Sequence, residues 1–273
     1  MPQATSRTDG RDALAQPLVS LRGVTKVFSN GTVALQNMSL DIAAGSFVSL
    51  LGPSGCGKST VLRIVAGLGD ATSGTVEWPS AHYNADGRPE REIGFVFQEP
   101  TLMPWGTVFN NVWLPLRLKG KSKSAARDEV MAALASVGLE TFADSYPREL
   151  SGGMKMRVSI ARALITRPKL LLMDEPFAAL DEINRFKLND DLLRLWETFG
   201  WTVIFVTHSV FESAYLANRI IVMAARPGRV ASDIPIDAPY PRDEGFRTST
   251  AYNDYCRRTS LALHDAMAMA EPS

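Results

Sequence analysis

The nonapeptide Gly52-Pro53-Ser54-Gly55-Cys56-Gly57-Lys58-Ser59-Thr60 constrains this chain more than any other stretch. It has the spacing GxxxxGK followed by serine or threonine, and it stands where that spacing has a mechanism. Before it lies the apolar run Phe47–Leu51; after it residues 61–68 read as a helix stopped by Gly67 and Gly69. Glycines reach backbone conformations closed to residues with a Cβ, so successive N–H groups can converge on a phosphate chain. The helix that follows turns its positive end to the same spot. In this frame Gly52, Pro53, Ser54, Gly55, Cys56, Gly57 and Thr60 form the cradle. Lys58 reaches the β and γ phosphates, and Ser59 offers its hydroxyl to Mg²⁺. The ligand is a nucleoside triphosphate; the motif alone leaves the reaction open. Cys56 reads as a small filler. A thiol at a helix N-terminus also carries the expectation of a lowered pKa and of protection from maleimide by ATP.

The rest of the pattern fits an α/β fold around this P-loop. Residues 18–28 and 33–42 read as two strands joined by the turn dipeptide Asn30-Gly31, an antiparallel hairpin. Val19, Leu21 and Val27 mark its apolar alternation. Strands follow at 73–78 and 93–97. Residues 98–168 turn helical, with Val130, Leu134 and Val137 on one amphipathic face and Pro147 and Pro168 as punctuation. This section is taken as a helical subdomain inserted into the core. Further strands are expected at 170–173, Thr202–Thr207 and Arg219–Ala224. A helical stripe of Leu188, Leu192, Leu195 and Phe199 and a helix over Val210–Leu216 separate them. Strands alternating with helices imply a mostly parallel sheet covered on both faces. After Arg229 the signal fades, apart from a terminal helix over 252–269. The expected division is a disordered tail at 1–17, an ATPase domain at 18–240, and a C-terminal extension at 241–273.

The apolar strand 170–173 ends in Asp174-Glu175. Alone, an acidic pair at a strand end also fits a solvated loop. Beside a P-loop it has work: Asp174 holds Mg²⁺, directly or through water, and Glu175 polarises the water that attacks the γ-phosphate.

Bulk properties narrow the partners. Acidic and basic residues balance at 29 each, so charge gives no ground for nucleic-acid binding. No apolar run approaches the roughly 18–20 residues of a membrane-spanning helix. The chain is therefore expected to be soluble, with any membrane part on another polypeptide. Cys56 and Cys256 show no metal or redox spacing and read as free thiols of a reducing compartment.

Leu150-Ser151-Gly152-Gly153-Met154 closely resembles the LSGGQ signature of ABC (ATP-binding-cassette) ATPases, with Met154 in place of the usual glutamine. Kinases and small GTPases lack this element, which argues against a P-loop kinase. It opens a helix expected at 156–165. The resemblance implies that Ser151, Gly152 and Gly153 of one subunit cap the γ-phosphate of ATP held by a second copy, using a hydroxyl and N–H groups at a helix N-terminus. It also implies that Phe28 stacks on adenine, although a plain core position on the first strand remains the alternative. Gln98 resembles the Q-loop glutamine that senses Mg²⁺ and the attacking water. Ala179-Leu180-Asp181 resembles the D-loop, which touches the partner copy. His208 in Val206-Thr207-His208-Ser209 resembles the switch histidine at the γ-phosphate; His82 and His264 stay unassigned.

Residues 98–105, 107–112, 217–223 and 226–229 are similar to importers of nitrate, sulfonates, taurine and related solutes. This branch implies an ATPase subunit at the cytoplasmic face of the inner membrane. Its partners would be a second copy, integral membrane permease subunits and, indirectly, an external solute-binding protein. The competing expectation is an ABC ATPase without a membrane partner. Such proteins usually carry two cassettes, or coiled-coil or zinc insertions, none of which is seen in this sequence.

Overall fold

The computed structural model describes residues 16–83 and 89–269. The tail expected over 1–17 lies outside these residues up to position 15, and its last residue, Pro17, already opens a strand. Strands Pro17–Val27 (β1) and Val33–Ala43 (β2) pair antiparallel, with Leu21 opposite Leu40. After Phe47–Leu51 (β3) and the helix Lys58–Ala66 (α1), Ser73–Glu77 (β4) pairs with the other edge of β1. The first sheet is therefore β2-β1-β4.

The second sheet holds the P-loop. Its order is β5 (Ile93–Val96), β6 (Leu170–Asp174), β7 (Thr202–Thr207), β3, β8 (Arg219–Ala224) and β9 (Arg229–Pro235). The first five run parallel and β9 returns antiparallel to β8. Its central strands read as unbroken apolar runs because both faces are buried. Phe47, Leu51, Leu171, Met173, Val203 and Phe205 pack into one core. Their neighbours Val48, Leu50, Leu170, Leu172, Ile204 and Val206 pack into the other, against α1 and the first sheet. Each such side chain contributes about 1.5–3 kcal/mol on leaving water.

Between β5 and β6 run the helices Val108–Leu118 (α2), Arg127–Ser136 (α3) and Gly152–Leu164 (α4), with 3₁₀ turns at Glu140–Phe142 and Pro147–Glu149. Val130, Leu134 and Val137 are all buried there. Glu182–Phe199 (α5) and Val210–Leu216 (α6) connect the later strands, and Glu244–Arg247 (α7) and Thr250–Ala268 (α8) end the fold. Arg242 fastens this last part. Its guanidinium donates to the carbonyls of Tyr215 at 2.8 Å and Ala217 at 2.9 Å at the end of α6, and to Ala238 at 3.0 Å.

Four sequence expectations need correction. β9 was not anticipated; it is a half-exposed edge strand without an apolar alternation, stapled to β8 by the two hydrogen bonds of Arg219 to Asp233 (2.9 and 2.6 Å). Helix α4 begins at Gly152 rather than Met156, because Ser151 caps it by accepting the N–H of Met154. Phe199 leaves the buried stripe: it is exposed and stacks on Trp201, centroids 4.9 Å apart. Val27 is only half-buried, and Val24 fills the core instead, because register shifts between β1 and β2 change which side chains point inward.

Candidate nucleotide site

The candidate residues gather where β3, β6 and β7 end, the side on which open α/β sheets bind ligands. The P-loop leaves β3 and returns as α1. Gly57 takes φ +95°, and a Cβ there would meet Leu35 Cδ2 at 2.7 Å and the Ala34 carbonyl at 2.8 Å. Strand β2 thus presses the loop from behind, and only glycine fits. Gly57→Ala is expected to destabilise the fold by about 2–3 kcal/mol, read as a lowered urea midpoint. Gly57 supplies no capping side chain, so the first N–H groups of α1 stay available. The other end of α1 is closed by Gly67 in the left-handed region, with Leu68 N–H on the Arg63 carbonyl.

Lys58 is buried, and its ammonium curls back over the loop. It donates to the carbonyls of Gly52 at 2.8 Å and Pro53 at 3.1 Å and stands 3.6 Å from the Glu175 carboxylate. The Ser59 hydroxyl donates to Asp174 Oδ1 at 2.8 Å. Burial pushes the Asp174 carboxyl up; the Ser59 bond opposes this and the charge of Glu175 adds to it. A serine oxygen and a carboxylate side by side form a donor set that fits a hard divalent cation such as Mg²⁺. Glu175 takes φ +45°, unusual for a residue with a Cβ, while its N–H is held by the Val206 carbonyl at 3.0 Å. This kink separates the two carboxylates: Asp174 faces Ser59, and Glu175 faces Lys58 and His208, whose Nδ1 lies 3.4 Å away. Backbone held in a sparsely populated region is characteristic of functional sites.

The structure thus brings Lys58, Ser59, Asp174, Glu175 and His208 together. Of the other candidates, Phe28, Ser54, Gly55, Gln98, Ser151 and Gly152 stand at the surface, Gly52 and Cys56 are buried, and Gly153 is half-buried. Phe28 is 45% exposed under Lys26, whose Nζ is 5.6 Å from the ring centroid, so the core alternative for this residue falls away. Gln98 stands exposed just beyond β5, one strand over from Asp174; among the described residues it makes no hydrogen bond to Ser59 or Asp174. Ser151 and Gly152 are exposed at the start of α4. Asp181 caps α5 by accepting the Asn184 N–H at 3.0 Å. Ser54 and Gly55 are exposed at the tip of the loop, while Pro53 and Thr60 are half-buried.

Cys56 fits the reading as a small filler, and the expectation of a lowered thiol pKa is overturned. The side chain is fully buried against Gly52, and burial pushes its pKa up despite the nearby Lys58. The protein itself covers this sulfur. The backbone N–H of Cys56 closes the loop on the Pro53 carbonyl at 3.2 Å.

Sequence reasoning missed the residues that hold the site from outside. Gly228 packs on the back of the P-loop: a Cβ there would lie 2.3 Å from the Cys56 carbonyl. Arg162 of α4 donates to the carbonyls of Pro100 and Thr101, both at 2.9 Å, and so ties the segment after Gln98 to the helix that Ser151 opens. Buried Asn111 shapes the next loop, accepting from Met103 N–H at 2.7 Å and donating to Gly106 and Thr107 carbonyls at 3.1 and 3.0 Å. These partners are distant or irregularly spaced in sequence, so no periodicity signals them. A cleft of about 920 Å³ lined by Leu18, Ala133, Leu164, Phe199 and Trp201 lies at the opposite end of the strands, away from the motif residues.

Comparison with known proteins bears on the same elements. A family model described as ABC transporter matches residues 35–178. A putative ATP-binding protein of Brucella abortus is 47% identical over 237 residues, spanning 87% of this chain and 90% of that protein. The aliphatic sulfonates import ATP-binding protein SsuB of Bacillus cereus is 43% identical over 239 residues, spanning 86% and 92%. An ATP-binding cassette solved as a dimer in a post-hydrolysis state, bound to ADP and Pi, superposes with a TM-score of 0.68 at 36% identity, covering 81% of this chain and 100% of that one. The P-loop, the Asp174-Glu175 strand end and the Ser151-capped helix therefore sit in a chain that belongs to the ABC transporter family, as an ATP-binding subunit that hydrolyses ATP.

Proposed function

We propose that the chain is the ATPase subunit of an importer and works as a head-to-tail pair of copies, with two ATP molecules held between Lys58 of one copy and Ser151 of the other. One observation carries the pairing. A Cβ at Gly152 would meet only Leu180 Cδ2 at 3.6 Å, one at Gly153 only Leu188 Cδ1 at 3.9 Å, and neither glycine has positive φ. Glycine at such a helix start costs up to about 1 kcal/mol relative to alanine. Nothing in their own chain demands bare backbone there; a phosphate approaching the helix N-terminus from a second copy does. A related cassette solved as a dimer bound to ADP and Pi supports pairing of two copies.

Within the sandwich Lys58 and the P-loop N–H groups hold the phosphates, and the exposed Phe28 offers a stacking face for adenine. Ser59 and Asp174 are the residues that would hold Mg²⁺, with Gln98 closing on it. The ion neutralises charge on the β and γ phosphates when bound. Glu175 orients and polarises the attacking water, and His208, against Glu175, contacts the γ-phosphate. Closure and reopening of the pair is the rigid-body motion that drives transport.

Among the described residues no helix is long and apolar enough to cross a membrane. The transport reading therefore requires permease subunits, with the chain at the cytoplasmic face. The loop carrying Trp105, 78% exposed yet fixed by Asn111, is the surface proposed for them. The sulfonate-import relative favours a small anionic or zwitterionic solute, such as a sulfonate, taurine or nitrate, delivered by an external binding protein. Reconstitution with permease subunits co-purified from solubilised membranes tests this. ATPase activity in proteoliposomes is expected to rise when solute-loaded binding protein is added. A chain that hydrolyses ATP but never joins the permease would belong to the non-transport ATPases instead.

A further inference from the structure

Both neighbours of His208 are tied to the buried residue Glu212, Thr207 through its carboxylate and Ser209 through its backbone N–H. The Thr207 hydroxyl donates to the Glu212 carboxylate, and the Thr207 hydroxyl oxygen accepts the N–H of Ser209 at 3.0 Å. Glu212 N–H in turn donates to the Ser209 hydroxyl at 3.3 Å. Glu212 lies in the first turn of α6 and is only 7% exposed. Its other oxygen faces Arg185 Nε at 3.7 Å, and Arg185 Nη2 donates to the Leu180 carbonyl at 2.9 Å. Leu180 directly precedes Asp181, the cap of α5. A polar chain thus runs from the loop before α5, through Arg185, Glu212 and Thr207, to both flanks of His208; its Arg185–Glu212 step is an ion pair at 3.7 Å and the others are hydrogen bonds.

A buried charge in this position is expensive unless compensated. Burial pushes the Glu212 carboxyl up, with the Thr207 hydroxyl and Arg185 opposing. Arg185 Nε is itself buried without a hydrogen bond, and the Glu212 carboxylate 3.7 Å away compensates its charge. An apolar pair would fill the same space at lower cost. A charged pair fixes direction, and it links the Leu180-Asp181 segment to the Thr207–Ser209 segment.

We propose that Glu212 and Arg185 are positioning residues for ATP hydrolysis: they tie the place of the His208 imidazole to the place of the Leu180-Asp181 loop. The inference rests on the paired reading above, in which that loop meets the second copy. Seating of the loop by a partner then seats His208 against Glu175, and hydrolysis waits on pairing.

The test is a set of ATPase measurements on the full chain. Glu212→Gln keeps the shape and removes the charge. It is expected to lower kcat about tenfold with KM for ATP unchanged within about twofold, a loss confined to the transition state. In a His208→Ala background the same substitution is expected to cause no further loss, and Glu212→Gln with Arg185→Ala should be no slower than the worse single variant. Thr207→Val, which cuts the link without touching the charge, should show the same split; circular dichroism and fluorescent-nucleotide binding verify that each variant folds. A wild-type kcat in Glu212→Gln, or an equal further drop in the His208→Ala background, overturns the proposal. If the unsubstituted chain hydrolyses ATP as a monomer while Glu212 still acts through His208, the pairing reading falls and the link stands within one chain.

Discussion

Replacing Glu175 with glutamine is expected to lower ATP turnover about 10³-fold while leaving ATP affinity within a few-fold, the size of effect a positioned general base supplies. The amide keeps the volume and the kinked backbone at φ +45°, so the site stays assembled. It loses the ability to draw a proton from water. Binding should even be relieved of one repulsion, because Asp174 sits beside Glu175 and its carboxyl is already pushed up by burial and by that neighbouring charge. With hydrolysis blocked, ATP should hold the two copies together. Size-exclusion chromatography of this variant with ATP should show a stable dimer, and initial-rate phosphate release measures the loss of turnover. Turnover reduced only about twofold would remove Glu175 from the role of base.

Lys58→Ala is expected to weaken ATP binding about 100-fold, roughly 2.7 kcal/mol. Two effects act together. The buried ammonium is the group placed to meet the phosphates, and it is also the cation beside Glu175 at 3.6 Å. Its loss leaves Glu175 and the phosphates without the buried ammonium that stands between them. Equilibrium titration with a fluorescent ATP analogue reads the change. An affinity equal to that of the unsubstituted chain would show that the P-loop backbone alone holds the nucleotide.

Much of this arrangement was legible in the sequence because it is carried by local rules. The strands buried on both faces announced themselves as apolar runs, and Thr202–Thr207, Val210–Leu216 and Arg219–Ala224 were read with the bounds the structure shows. Glycines of the P-loop and the acids at the end of β6 carry their chemistry in fixed spacing. What escaped were features set by distant partners. Strand β9 lacks an apolar alternation and exists because β8 offers an edge and Arg219 a staple for Asp233. The burial of Cys56 depends on β8 crossing behind the loop, where a Cβ at Gly52 would also meet the Met223 carbonyl at 2.8 Å. The start of α4 was expected at Met156 and lies four residues earlier, because the Ser151 cap outweighs the low helix propensity of Gly152 and Gly153. Arg162, Asn111, Glu212 and Arg242 read as ordinary polar residues of helical or loop segments; only tertiary folding brings carbonyls and a hydroxyl to them.

The account stands on a nucleotide shared by two copies, and cross-linking tests that most directly. Ser54 lies exposed on the P-loop and Ser151 exposed at the start of α4. One chain would carry Ser54→Cys and another Ser151→Cys, both with Glu175→Gln and with Cys56 and Cys256 replaced by serine. On mixing and treating with a short bis-maleimide, a covalent heterodimer should form with Mg²⁺-ATP and fade without it. Chains that remain uncoupled at saturating ATP, or that couple equally whether or not ATP is present, would contradict the shared site.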